Sequence, residues 1–263
     1  MSIIAEESVK IGAEGVVVEL TINRPKDLNA LNPDTLQSLI IALEKIQKAQ
    51  SLRVVIITGA GDRAFVAGAD IKSMVQLGGR AIADYIELGQ RAMRAIETAR
   101  VPVIAAVNGY ALGGGLELAL ACDMIVASTE AKLGAPEVAL GIIPGFGGTQ
   151  RLMSRCGIGT TRRLVFTGER VSAEEALQLG LVDKVVEHSR LMEEARAVAS
   201  NIVRNAPLAI TRAKEVINRS QEPAILPGLR YEVEAFLTLF GTIDRQEGME
   251  ALLQKRDAKF VGK

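Results

Sequence analysis

Gly109-Tyr110-Ala111-Leu112-Gly113-Gly114-Gly115-Leu116-Glu117, followed twenty residues after its glutamate by Gly134-Ala135-Pro136-Glu137, is the pair of segments on which the reading of this chain turns. Both glutamates close stretches that are otherwise apolar or glycine-rich, where a carboxylate is expensive to bury. Two carboxyls in a dry pocket can act as general acid and general base, because their surroundings can push the two pKa values apart. The glycines add the complementary half. A glycine-rich turn entering a helix leaves backbone N–H groups unpaired and lets a substrate oxygen approach the main chain. Together these features suit chemistry at a carbonyl. Each segment alone reads equally as a tight turn next to a solvated or arginine-paired acid, so the rest of the chain has to decide.

On either side of these segments, strands and helices alternate. Val16 to Ile22, Arg53 to Thr58, Val101 to Val107 and Met124 to Ser128 read as β-branched, largely buried strands. Asn32-Pro33-Asp34 opens a helix: Asn32 can cap it, Pro33 fits its first position, and Leu36, Leu39, Ile40, Leu43 and Ile46 recur at helical spacing. A second helix is predicted over about residues 80–99. The glycine-rich run Gly141 to Leu152 leads into helix but lacks the Gly-Lys-Ser/Thr ending of a phosphate-binding loop, so nucleotide hydrolysis has no support. Ser172-Ala173-Glu174-Glu175 reads as a capping box. From about residue 190 helices follow, including Leu226 to Phe240 and Asp244 to Lys255. No internal repeat or long linker is visible. The expected class is α/β, with a core over residues 1–200 and a helical C-terminal region over 201–263.

Composition narrows the function classes. The 263 residues, 48% of them hydrophobic, can enclose a sizeable core. Lys+Arg and Asp+Glu both total 31, so nothing general draws the chain to nucleic acid or an anionic membrane. Cys122, Cys156 and the single His188 form neither a disulfide framework nor a zinc motif, and no metal is expected. Met1 to Glu7 lacks the basic start and apolar stretch of a signal peptide, and no apolar run reaches transmembrane length. The expectation is a soluble cytoplasmic protein, or a mitochondrial-matrix one if a presequence has been removed.

Five ordered motifs together resemble the enoyl-CoA hydratase, or crotonase, superfamily, over essentially the whole chain. They are Asn23-Arg24-Pro25 with Asn29-Ala30-Leu31, Ala64 to Lys72, Ala105 to Gly115, Gly134 to Glu137, and Gly145 to Leu152. The resemblance implies a crotonase-like spiral of β-β-α units and C-terminal helices that assemble homotrimers, commonly paired into hexamers. It implies reversible syn addition of water to a trans-2-enoyl-CoA, with coenzyme A as part of the substrate and no separate cofactor. On that likeness Glu117 and Glu137 hold the water, and the N–H groups of Ala69 and Gly114 form the oxyanion hole. Ala30, Leu31, Ala67, Asp70, Ile71 and Lys72 line the coenzyme A groove, with Lys72 a phosphate partner.

Because Glu117 falls in the first turn of the helix that Gly114 opens, its anionic form should be favoured, making it chiefly the base and Glu137 chiefly the acid. The pocket floor is expected around Met74 to Leu88. Tyr110 and Phe146 read as packing, and His188 as an exposed loop residue. A specialised hydratase for branched or methylglutaconyl-type acyl groups, and an enoyl isomerase, are the enzymatic alternatives. One branch of the family binds AU-rich RNA through a lysine-rich helix. The corresponding helix here has only Arg91, Arg94 and Arg100 among acids and apolar residues, so nucleic acid is not an expected partner.

Overall fold

A strand that is β-branched on both faces needs a cover on each side. The computed structural model of the chain, which describes residues 3–11 and 15–263, supplies both covers. Met1 and Ser2, part of the N-terminal segment considered above, lie outside the described residues. The chain begins with β1 (Ile4–Ile11), β2 (Gly15–Ile22) and α1 (Pro33–Ile46). Then come β3 (Leu52–Gly59), β4 (Ala64–Val66), α2 (Ile71–Val75), α3 (Arg80–Glu97), β5 (Val103–Val107), β6 (Tyr110–Leu112) and α4 (Gly114–Ala121). Next are β7 (Met124–Ser128), β8 (Lys132–Gly134), α5 (Gly148–Thr167), β9 (Arg170–Ser172), α6 (Ala173–Gln178) and β10 (Lys184–Val186). The last helices are α7 (Leu191–Val203), α8 (Pro207–Phe240) and α9 (Ile243–Gln254).

Three successive turns of chain each lay a longer strand in one sheet and a short strand in another, which is the β-β-α spiral. β3, β5 and β7 enter a six-stranded sheet of order β1-β2-β3-β5-β7-β10, while β4, β6 and β8 enter a four-stranded sheet of order β4-β6-β8-β9. Neighbours from β2 to β10 run parallel, and only β1 and β9 pair antiparallel. In the large sheet, Val54, Ile56, Ile104, Ala106 and Val126 face Leu191, Ala195 and Ala199 of α7. Val55, Ile57, Ala105 and Ile125, one residue out of phase, face the main core with α1, α3 and α4. Glu19 of β2, buried, takes a two-pronged bond from Arg196 of α7 at 2.6 and 2.9 Å, which clamps that helix to the sheet.

Asn32 caps α1 by accepting from Thr35 N at 2.8 Å, as its position predicts. Two local expectations change. Ser172 caps α6 from Glu175 N, but the Glu175 carboxylate turns to Arg163 at 2.6 Å, so the box closes only on one side. The helix expected from Leu226 starts instead at Pro207 and continues through Pro223 and Pro227. Each proline forfeits one helical hydrogen bond, and tertiary packing offsets the loss.

That packing includes Lys214, a buried lysine of α8. Its ammonium reaches Asp123 Oδ2 at 2.7 Å and the carbonyls of Val101 and Ile96 at 3.1 and 3.3 Å. Asp123 Oδ2 in turn accepts from Val103 N at 2.7 Å, at the start of β5. Removing the cation leaves a mostly buried carboxylate without its partner, a loss that typically costs about 3–5 kcal/mol. Lys214→Ala is therefore expected to lower stability by about 3 kcal/mol, readable as a fall in the urea midpoint at unchanged slope.

Candidate active site

The glycine run works because one of its members adopts a conformation closed to other residues. Gly113, at φ 50° and ψ −122°, turns the chain from β6 into α4, and a Cβ there would come within 2.8 Å of Glu137 Oε1. Gly113 N donates to Gly134 O at 2.9 Å, so the turn is tied to the segment that carries Glu137. Glu117 sits in the first turn of α4, and Glu137 in the short 3-10 turn Pro136–Leu140; both are buried.

Ala69 approaches from the other side. Leu31 bonds on both flanks of it, with Leu31 N donating to Gly68 O and Leu31 O accepting from Asp70 N, each at 2.9 Å. This one-sided bridge points the Ala69 N–H away from Leu31. Tyr85, on α3, fixes the bridge by donating to Leu31 O at 2.5 Å. Among the described residues neither the Ala69 nor the Gly114 N–H has a protein acceptor. The two are neighbours, since a Cβ on Gly114 would lie 3.3 Å from Ala69 N.

The carboxyls have unlike surroundings. Glu117 Oε1 accepts from Phe146 N at 2.8 Å and Gly148 N at 2.7 Å, while Glu137 Oε2 has no partner among the described residues. Burial pushes both pKa values up. For Glu117 the rise is well above the ordinary range, reinforced by the charges of Glu137 and Glu232 and opposed by the two N–H bonds. For Glu137 burial carries it to about 8, with Glu232 adding to the rise. A pair so coupled titrates as a unit, and at neutral pH it retains protons that exposed glutamates would have lost.

Both glutamates, Ala69 and Gly114 line one cavity of about 250 Å³. Ala67 and Ile71 line it as well, whereas Ala30, Leu31, Asp70 and Lys72 are not in its wall. Leu31 acts through Ala69, as described. Asp70 caps α2 at Ser73 N and pairs with Arg24 at 3.0 Å. Lys72 is exposed, 3.9 Å from Asp27. The apolar wall comes from Met74 and Ile86, inside the expected floor segment, and from Leu140, Ile142, Phe236 and Leu252, beyond it. Among the described residues no group of three or more His, Cys, Asp or Glu is placed to hold a metal ion.

A paired-carboxyl cavity beside two free amides is what the five motifs lead one to look for, and comparison with known proteins shows the family. The family described as Enoyl-CoA hydratase/isomerase matches residues 12–263. The chain belongs to that family. The short-chain-enoyl-CoA hydratase of Clostridium acetobutylicum is 47% identical over 249 residues, covering 95% of each chain. The crotonyl-CoA hydratase of Syntrophomonas wolfei is 44% identical over 259 residues, 98% of this chain and 100% of its own. Among solved structures, an enoyl-CoA hydratase from Bacillus anthracis superposes with a TM-score of 0.81 at 39% identity, covering all of both chains.

For an enoyl-CoA hydratase/isomerase family member the sequence left two groups unread. Phe146 is packing, as expected, edge-on to Tyr85, yet its N–H also holds Glu117. Glu232 of α8 is buried against the same loop; its signal was an acid set among Leu229, Phe236 and Phe240 at helical spacing. His188 is half-buried rather than exposed, with Nδ1 3.1 Å from Ser128 Oγ. The arginine stripe is partly consumed by internal bonds: Arg94 pairs with Glu222 and Arg100 reaches the Gln47 carbonyl at 3.0 Å. No helix among the described residues is long and apolar enough to cross a membrane.

Gly113 gives the site a direct structural test. Gly113→Ala imposes a side chain on a φ/ψ region reserved for glycine and presses it against Glu137. The expected loss of stability is about 1–3 kcal/mol, measured by denaturant unfolding, with the 3-10 turn at Pro136–Leu140 opening first in hydrogen exchange.

Proposed function

We propose that the chain hydrates short trans-2-enoyl-CoA thioesters reversibly, as a hydro-lyase. The observation that carries this reading is the joining of two buried, differently bonded carboxyls and two unpaired amides in one small cavity. Glu117, its Oε1 held by two N–H groups, takes a proton from water as the oxygen adds to C3. The electrons of the C2=C3 bond move toward the thioester oxygen, where the Ala69 and Gly114 amides receive the charge without reorganising. Glu137, its Oε2 without a partner among the described residues and its pKa raised by burial, gives its proton to C2. No oxidation state changes, so the chemistry calls for no redox cofactor.

The acyl length follows from the space. A cavity of about 250 Å³ is smaller than the roughly 300–1,000 Å³ usual for ligand pockets, and its walls are mostly apolar apart from Glu117, Glu137 and Arg170. The coenzyme must extend outward, past Ala67 and Ile71, toward the exposed Lys72. The short-chain and crotonyl-CoA hydratases among its relatives agree with a short acyl group. Arg170 in the cavity wall favours one second reading, an acyl group that ends in a carboxylate. Exposed Leu208, Val216, Ile217, Tyr231 and Ile243 of α8 and α9 support assembly into trimers or hexamers. The free Cys122 and Cys156 suit a reducing compartment such as the cytoplasm.

Two measurements test the reading. Glu117→Gln and Glu137→Gln should each lower kcat on crotonyl-CoA by about 100–10,000-fold, with thioester affinity nearly kept, and the double variant should be little worse than the poorer single one. More than about a tenth of parental activity in either single variant removes that glutamate from the mechanism. Rates on C4, C8 and C16 enoyl thioesters should fall with length; a 2-enoyl substrate ending in a carboxylate that outpaces crotonyl-CoA would select the second reading.

The pH dependence follows from the raised pKa values. The active form of the coupled pair carries a single proton, so kcat/KM should be bell-shaped. Its alkaline limb, where the pair loses that proton, is expected far above the ordinary glutamate range, as burial already carries Glu137 to about 8. Its acid limb, where the pair becomes fully protonated, should lie above the ordinary glutamate value of 4.5. A profile flat from pH 5 to 9 would show that neither carboxyl titrates in the reaction.

A further inference from the structure

The loop Phe146 to Thr149 donates its successive N–H groups alternately to opposite sides. Phe146 N and Gly148 N go to Glu117 Oε1. Gly147 N and Thr149 N go to Glu232, at 2.6 Å to Oε1 and 3.0 Å to Oε2. The Thr149 hydroxyl also bonds Oε2, and because that hydroxyl accepts from Gln150 Nε2 at 2.9 Å, its proton points to Glu232. Glu232 is 2% exposed and is absent from the cavity wall, so it does not touch a substrate there. All three of its hydrogen-bond partners are donors, which is the environment of a carboxylate rather than a carboxylic acid.

We propose that Glu232 is a positioning residue for the hydration, anchoring the Phe146–Thr149 loop from α8 so that the loop's other two N–H groups seize Glu117. The proposal rests on the hydratase reading of the site. These four residues lead into the first turn of α5, and a helix N-terminus has no reason of its own to send its free amides alternately to two acids. Gly147, at φ 101°, makes the alternation possible, and the Arg151 guanidinium holds the loop from beneath by donating to Phe146 O at 2.6 Å. Glu232 thereby ties the C-terminal helix to the chemistry: whatever shifts α8 shifts the base.

The charges around the pair give the proposal a signature beyond stability. Facing Glu117 and Glu137 are each other, Glu232 of α8, the Tyr85 phenol of α3 and, across the cavity, Arg170 of β9; facing Glu232 is Arg151 of α5, itself paired with Glu97 of α3. A negative Glu232 raises the pKa of both active-site glutamates, so losing its charge should lower them.

Glu232→Gln keeps the volume but turns one acceptor into a donor that opposes Gly147 N–H or Thr149 N–H. On crotonyl-CoA it is expected to lose about 10–100-fold in kcat, the scale of a roughly 1 Å misplacement, with KM little changed and both limbs of the pH profile moved to lower pH. Glu232→Asp, which keeps the charge, should return the limbs to the parental pH while kcat stays low. Combined with Glu117→Gln, Glu232→Gln should cost nothing further, because it acts through Glu117. A folded Glu232→Gln with parental kcat, an unmoved profile, or an additional loss in the double variant would overturn the proposal. Should Glu232→Gln not fold, Glu232→Asp decides: reduced kcat at an unmoved profile supports positioning, and parental kcat refutes it. If Glu117→Gln itself stays active, the fault lies with the hydratase reading and not with Glu232.

Discussion

Keeping charge in a dry cavity is the constraint on which the rest of this structure depends. A carboxylate removed from water must be given donors, and the strands and helix interiors around Glu117 have none to spare, since their N–H groups are spent in ladders. The donors come from the turn into α5, Phe146 to Thr149, whose last two residues open that helix with N–H groups that no helical bond uses. The same loop serves Glu232 with its remaining amides. Its glycines are therefore not a sign of slackness. A Cβ on Gly148 would stand 2.8 Å from Glu117 Oε1 and equally close to the Pro144 side chain, so the bare backbone is what lets the carboxylate reach its amides.

The spiral explains why those pieces arrive together. Each turn of chain ends a short strand of the smaller sheet next to the cavity: β4 leads to Ala69, β6 to Gly113 and Gly114, and β8 to Glu137. Parallel pairing of β4, β6 and β8 puts these exits on one edge. Two amides and two acids from three separate stretches of sequence thus meet without any long loop, and Leu31 with Tyr85 fixes the remaining degree of freedom at Ala69.

What could be read in advance was what is encoded locally. Asn32 and Pro33 announce α1 because capping is settled within four residues, and Val54 to Ile57 announce a two-faced strand because alternation is immediate. The family motifs pointed to Glu117, Glu137, Ala69 and Gly114, and these do converge on one cavity. The spiral itself left no repeat in the residues, since its turns share backbone geometry and not side chains. The start of α8 was not legible: the helix runs back through Pro223 and Pro227, because the packing of Leu229, Phe236 and Lys214 outweighs two missing bonds. Glu232 showed in the sequence only as an acid among apolar residues, because its bonds to the Gly147 and Thr149 amides join elements far apart in the chain.

The electrostatics of Glu117 show how magnitudes decide between causes. The position of Glu117 in the first turn of α4 suggests that the helix terminus keeps it ionised, but such an interaction is worth only about 0.3–1 kcal/mol, and α4 has eight residues. A hydrogen bond to a charged group is worth about 1.5–3 kcal/mol, and Glu117 accepts two from the loop. The loop, not the helix, is the main force holding the negative form. Against it stand burial and two acidic neighbours, which prevail in raising the pKa. On the proposed mechanism Glu117 is poised: burial and its acidic neighbours make it a stronger base than an exposed glutamate, while the loop, whose other anchor Glu232 lies in the C-terminal helix, favours the ionised form that takes a proton from water.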